Sequence, residues 1–165
     1  MRRSFFVKFI IGLAIFMIVN ATNILLAATK VNQTISIPVA IITEFTTTGI
    51  PTAMVVNSVT PGFQPDQALS ANTTYNITTN ESNKKITGIL DSAMPANTVL
   101  TVNLAAPAGA TSLGDVALST VAADLVTGIS QTAASGKTIT YKFLSSVTAG
   151  IVPSTSRVVT FTVTN

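Results

Sequence analysis

The sequence predicts an all-β fold, a single immunoglobulin-like antiparallel β-sandwich, and three observations carry that expectation. Apolar and polar residues alternate with period two along most of the chain. From Thr29 onward Thr, Ser, Val, Ile, Ala and Asn dominate the composition. Thr is β-branched, so its methyl packs on a pleated surface while its hydroxyl meets water. Turn signals separate the alternating runs: Pro51, Pro61-Gly62, Pro65-Asp66, Asn80–Asn83, Pro95-Ala96-Asn97, Pro107-Ala108-Gly109 and Ser135-Gly136. Beyond the first 28 residues no stretch has a helical period, apart from a turn or two at Leu118–Val126.

The first element in chain order is a leader. Met1 to Lys8 is short and cationic, Phe9 to Val19 is an uninterrupted apolar run of eleven, and Asn20 breaks it. A basic segment, an apolar core of this length and small residues beyond it describe a secretory signal peptide over 1–28. Cleavage after Ala28 competes with cleavage after Ala21. The other reading is an uncleaved anchor over Phe9–Ala28, which Asn20, Thr22 and Asn23 weaken. Residues 29–165 then form one domain.

The strands follow. Ile35, Ile37, Val39 and Ile41 share one face of the first. Less regular runs occupy Ala53–Val59, Tyr75–Thr79, Lys85–Leu90, Val116–Val121 and Asp124–Ile129. Clean alternation returns at Val99–Leu104, at Ile139–Phe143 and at Val159–Thr164. Eight or nine short strands between turns are the pattern of a sandwich.

The composition excludes much chemistry. The chain has no His, no Cys and no Trp, and 9% of its residues are charged. It therefore has no disulfide, no Cys/His metal site, no Ser-His-Asp triad and no cysteine nucleophile. The formal net charge of +3 comes from Arg2, Arg3 and Lys8. From Thr29 onward six basic residues (Lys30, Lys84, Lys85, Lys137, Lys142, Arg157) balance six acidic ones (Glu44, Asp66, Glu81, Asp91, Asp115, Asp124). A neutral body without a basic face does not read as a nucleic-acid binder. Gly136-Lys137-Thr138 matches the end of a phosphate-binding loop, but Gln131 stands where the first glycine belongs and a strand pattern follows. The acids form no close pair or calcium loop. Tyr75 and Tyr141 read as core or interface residues. Asn32, Asn72, Asn76 and Asn80 head N-glycosylation sequons that so Thr-rich a chain produces by chance. No enzyme and no cofactor is expected.

The informative feature is the first strand. With the leader removed, the chain begins almost directly on an apolar stripe. A bare strand edge at a free terminus pairs with whatever strand it meets. Burying Ile35, Ile37, Val39 and Ile41 at roughly 1.5–3 kcal/mol each is comparable to the whole stability of a domain. The partner sheet is either the chain's own or a neighbour's. In the second case the strand is a donor that completes another copy, and the head-to-tail contact propagates as a filament. The donor would span about 31–37, with Val31, Gln33, Ile35, Ile37 and Val39 at the interface. Pro38 lacks an N–H for a ladder and marks where a donated strand ends.

Several segments, in order, resemble the major pilins of the alternate chaperone–usher fimbriae, the colonisation-factor-antigen type. Asn32-Gln33-Thr34-Ile35-Ser36-Ile37 resembles the donor strand of that family, and Gly49-Ile50-Pro51 and Val59-Thr60-Pro61 the segments after it. Thr78-Thr79-Asn80-Glu81-Ser82-Asn83-Lys84-Lys85-Ile86 resembles a family stretch in which a Thr-Asn-acid turn precedes a strand. Thr127-Gly128-Ile129-Ser130 and Thr148-Ala149-Gly150 resemble its C-terminal third. The lack of cysteine agrees, while Pro38 arrives earlier than the pattern has a proline. The resemblance implies a structural subunit of a surface fimbria supporting adhesion. It implies secretion through the periplasm, a periplasmic chaperone and an outer-membrane usher as partners, homopolymerisation with neighbouring copies, and no membrane contact in the mature form. The other readings are a monomeric exported immunoglobulin-like binding domain and a chaperone-independent extracellular matrix fibre protein.

Overall fold

The computed structural model describes residues 30–165, so the expected leader over 1–28 lies outside the described residues. These residues fall into an N-terminal unit ending at Pro38 and a unit covering Val39–Asn165. The N-terminal unit carries no assigned secondary structure among its described residues. The second unit is built from nine strands. They are β1 (Thr43–Thr48), β2 (Ala68–Thr79), β3 (Lys84–Leu90), β4 (Thr98–Leu104), β5 (Thr111–Ser112), β6 (Val116–Ala117), β7 (Ala123–Ile129), β8 (Thr132–Ser145) and β9 (Val159–Thr164). A single 3-10 turn, Val147–Ala149, is the helical content of the described residues.

The strands form two sheets, in the orders β1-β2-β8-β4-β6 and β5-β7-β3-β9. Every pairing is antiparallel. This is the expected β-sandwich. Alternation sets which side chains enter it. β3 reads buried and half-buried by turns from Lys84 to Leu90, and β4 turns Thr98, Leu100, Val102 and Leu104 inward. Tyr75, Ile77, Ile86, Val102, Leu104, Leu125, Ile129 and Ile139 meet in one core and are almost wholly removed from water. At roughly 1.5–3 kcal/mol for each large apolar side chain, that cluster is the main driving force for folding. No disulfide assists it.

The turns expected at Asn80–Asn83 and Pro95–Asn97 form, with Asn83 and Asn97 in the left-handed region that asparagine tolerates. Other expectations are corrected. The alternating stripe Ile35–Ile41 is not a strand, because no ladder partner is assigned to residues 30–42. Ala53–Val59 is also irregular, although Met54 and Val56 are half-buried between exposed neighbours. The run from Val116 is a strand for two residues and is not helical beyond them. Leu118 N–H donates to Leu100 O, and Ser119 O then accepts from Leu90 N–H, so the chain crosses from one sheet to the other there. Ser135-Gly136 is not a turn between strands. Gly136 lies inside β8 with φ 61°, where its N–H donates to Asn76 Oδ1 at 2.8 Å beside a register shift between Tyr75 and Ile77. That is a bulge, and glycine supplies its backbone.

Candidate functional site: an open seam between β1 and β9

The two sheets end differently on their two sides. β5 and β6, which close one side, are two residues long each. β1 and β9, which end the sheets on the other side, are six residues long, and among the described residues each pairs along one edge only. The Phe45 ring of β1 lies 6.4 Å from the Phe161 ring of β9, edge to face, and 5.5 Å from Tyr75 beneath it. Two long unpaired edges from opposite sheets therefore face each other. Edges of this length are ready templates for another strand.

Sequence dictates what lines the seam. β9 alternates Val159, Phe161 and Val163 with Thr160, Thr162 and Thr164, and the apolar set faces the core. These three stay half-buried, as does Phe45, whereas their counterparts in the middle of the sheets are fully covered. The seam thus has an apolar lining that one more strand would cover.

Both ends of β9 are fastened. At its start, Val158 N–H donates to Asp91 Oδ1 and Val158 O accepts from Asp91 N–H, both at 3.0 Å. The Arg157 guanidinium donates to Ala93 O at 2.8 and 2.9 Å. At its far end a polar cluster joins β1, β3 and β9. Thr43 Oγ1 donates to Glu81 Oε2 at 2.8 Å, the Lys84 ammonium lies 3.0 Å from the same oxygen, and it donates to Asn165 Oδ1 at 2.5 Å. Lys84 occupies the inward face of β3 in line with Ile86, and only 9% of it is exposed. Hydrogen bonds from Lys84 and then Thr43 hold the Glu81 carboxyl below its ordinary range. Tyr75 lies under the seam, with its hydroxyl donating to Ala105 O at 2.6 Å, and burial pushes its pKa up to about 12.

The residues expected to form a donor interface precede the first strand of the sandwich in the chain. Val31, Gln33, Ile35, Ile37 and Val39 lie in the stretch without secondary structure, and all five are exposed, Ile37 by 86%. Among the described residues nothing covers this apolar stripe. The seam itself is not legible in the sequence. β1 reads Thr-Glu-Phe-Thr-Thr-Thr, with one large apolar residue, and only the rings placed on Phe45 reveal its role.

Other candidates resolve into ordinary structural roles. Gly136-Lys137-Thr138 sits within β8 rather than at a helix start, so it cannot cradle phosphate as a P-loop does. Asp115 pairs with Lys142 and accepts from Asn103 Nδ2, which lowers its pKa in that order of importance. Asp124 pairs with Lys85 at 3.1 Å. Among the described residues no group of three or more His, Cys, Asp or Glu could hold a metal ion. The amide nitrogens of Asn72, Asn76 and Asn80 donate to Ile50 O, Thr46 Oγ1 and Ala40 O, so these sequon side chains are structural ties. No helix of the described residues is long and apolar enough to cross a membrane. Comparison with protein-family models, curated proteins and solved structures gave no match to this chain.

Proposed function

We propose that the chain is a structural subunit of an extracellular fibre, a fimbria in the resemblance stated above, in which the N-terminal segment of one copy fills the β1–β9 seam of the next. The single observation that carries this reading is the seam: two six-residue edges, facing each other, over half-buried Phe45, Val159, Phe161 and Val163. The exposed stripe at Val31, Ile35, Ile37 and Val39 supplies what the seam lacks, an apolar strand face with period two. Thr43 lies with Asn165 at one end and Phe45 with Phe161 further along, so β1 and β9 run in opposite directions across the gap. An inserted strand antiparallel to β9 would run parallel to β1. Each copy has one acceptor and one donor, so the contact does not close on itself and a filament results. A periplasmic chaperone that fills the seam before assembly, and an usher that exchanges it, are the partners this reading calls for. The fibre would stand on the cell surface and support adhesion.

The test uses three proteins: the mature chain, the chain lacking residues 29–37, and that deletion with the same segment fused behind Asn165 through a flexible linker. The mature chain should give a ladder of polymers that resists SDS without boiling. The deletion should be monomeric and melt at low temperature, and the fusion should be monomeric and melt high. A mature chain that is a stable monomer by itself would refute the reading and leave a self-contained binding domain.

A further inference from the structure

Lys84 is a buried lysine on the core face of a strand, and the fibre reading does not use it. Its neighbours are a carboxamide and a carboxylate. Asn165 Oδ1 is 2.5 Å from its nitrogen and Glu81 Oε2 is 3.0 Å away. The backbone fixes this meeting, because β3 and β9 pair with Lys85 opposite Thr164, which brings Lys84 opposite Asn165. Thr43 Oγ1, donating to Glu81 Oε2 at 2.8 Å, keeps that oxygen aimed at the lysine. With a C=O bond of about 1.23 Å, the lysine nitrogen lies at most about 3.7 Å from the carboxamide carbon of Asn165, close to the separation at which bound groups react.

We infer that Lys84 and Asn165 form an intramolecular isopeptide bond, with Glu81 as the acid–base group, covalently locking β9 to β3. The Glu81 carboxylate first takes a proton from the Lys84 ammonium. The freed electron pair of Nζ attacks Cγ of Asn165, after the carboxamide turns its face to the amine, and a tetrahedral centre forms. Glu81 then returns the proton to the amide nitrogen, the Cγ–N bond breaks, and the departing ammonia takes the extra proton from Nζ, leaving as an ammonium ion. The net change joins one ammonium and one carboxamide into one secondary amide and one ammonium ion. No oxidant or cofactor is required. Holding both groups in place replaces a bimolecular encounter, and well-oriented neighbours gain effective molarities of roughly 10⁵–10⁸ M. Asn165 is exposed, which gives the leaving group an exit, while Lys84 is shielded from competing water. The inference does not depend on polymerisation.

The experiment is intact-mass spectrometry on the purified full chain, followed by fragmentation of its proteolytic peptides. The expected result is a mass lower by one ammonia and a branched peptide joining Lys84 to Asn165. Lys84→Arg keeps the charge but cannot form the amide, and should retain full mass. Glu81→Gln should form the bond at least about 100-fold more slowly, the lower end of what a positioned acid–base group contributes. Circular dichroism establishes that each variant is folded. A folded wild-type chain that keeps its full mass through prolonged alkaline incubation overturns the inference. So does an ammonia loss that persists in Lys84→Arg, since that is asparagine cyclisation.

Discussion

Replacing Ile37 separates the fold of one copy from the association of two. Ile37 is 86% exposed in the single chain, so its truncation removes almost no buried surface from the subunit. The melting temperature of the monomeric fraction should therefore be unchanged, within the roughly 0.5 kcal/mol expected of an exposed site. If Ile37 enters the seam of a neighbour, Ile37→Ala withdraws three carbons from that contact, at about 0.8 kcal/mol each, or about 2.4 kcal/mol. One decade per 1.4 kcal/mol converts this to a roughly 50-fold loss in the association constant. Ile37→Asp adds the cost of burying an unpaired carboxylate, several kcal/mol even after relaxation, and should leave no polymer. Thr34→Ala and Ser36→Ala, on the other face, should behave as the wild type. Sedimentation over a concentration series reads association, and thermal melting of the monomer reads the fold. Equal association for Ile37→Asp and wild type would refute the reasoning. A monomer destabilised by Ile37→Ala as much as by a core truncation would show instead that the segment packs on its own subunit.

Three further outcomes follow from the seam and its supports. Gly49 has φ 91°, and a Cβ there would stand 2.7 Å from Asn72 O, so Gly49→Ala should cost about 1–3 kcal/mol, read by chemical denaturation. Lys137→Ala should leave both stability, within about 0.5 kcal/mol, and assembly unchanged, because the residue serves a half-exposed strand position and no phosphate. Tyr75 has a folded pKa of about 12 against an ordinary 10.0, so the neutral phenol is favoured in the fold. Its contribution is complete below pH 10 and is lost as pH rises towards 12. A shift of that size is worth roughly 2–3 kcal/mol, and Tyr75→Phe should flatten the alkaline arm of the stability curve.

Residues whose alternation is met by a paired strand were legible in the sequence. Val99–Leu104 and Val159–Thr164 form strands close to the expected bounds, because their period-two pattern and their place in a sheet agree, whereas Ile139–Phe143 is the inner part of the much longer Thr132–Ser145. The failures come from the same rule acting without a partner. Ile35–Ile41 alternates as cleanly as any of these and forms no strand in the single chain, since a ladder needs a second edge. β1 forms despite one large apolar residue, because β2 offers an edge against which Thr43 to Thr48 pair in unbroken register. Ser135-Gly136 has the sequence of a chain reversal, but a positive φ serves a bulge as well as a turn, and the choice depends on Asn76, sixty residues away. The seam lay beyond reach for a similar reason. It consists of two edges from different sheets, and nothing local to β1 or β9 tells that Phe45 and Phe161 will meet.

The pairing of β3 with β9 also governs when the molecule can finish folding. β3 is an interior strand of its sheet, yet its partners arrive late: Gly88 waits for Ala123, and Lys85 waits for Thr164, nearly half the chain further on. Loop closure over such spans precedes any reward from the contact, so folding belongs to the slow, non-local class, milliseconds to seconds. A chain emerging from the ribosome at about 5–20 residues per second thus passes many seconds with β3 made and its final partner not yet synthesised. During that interval the apolar face of Ile86 and Leu90 is uncovered and the strand edge is bare. Anything that must keep this chain unfolded, escort it or thread it elsewhere has a window set by topology, and it shuts when the last strand arrives.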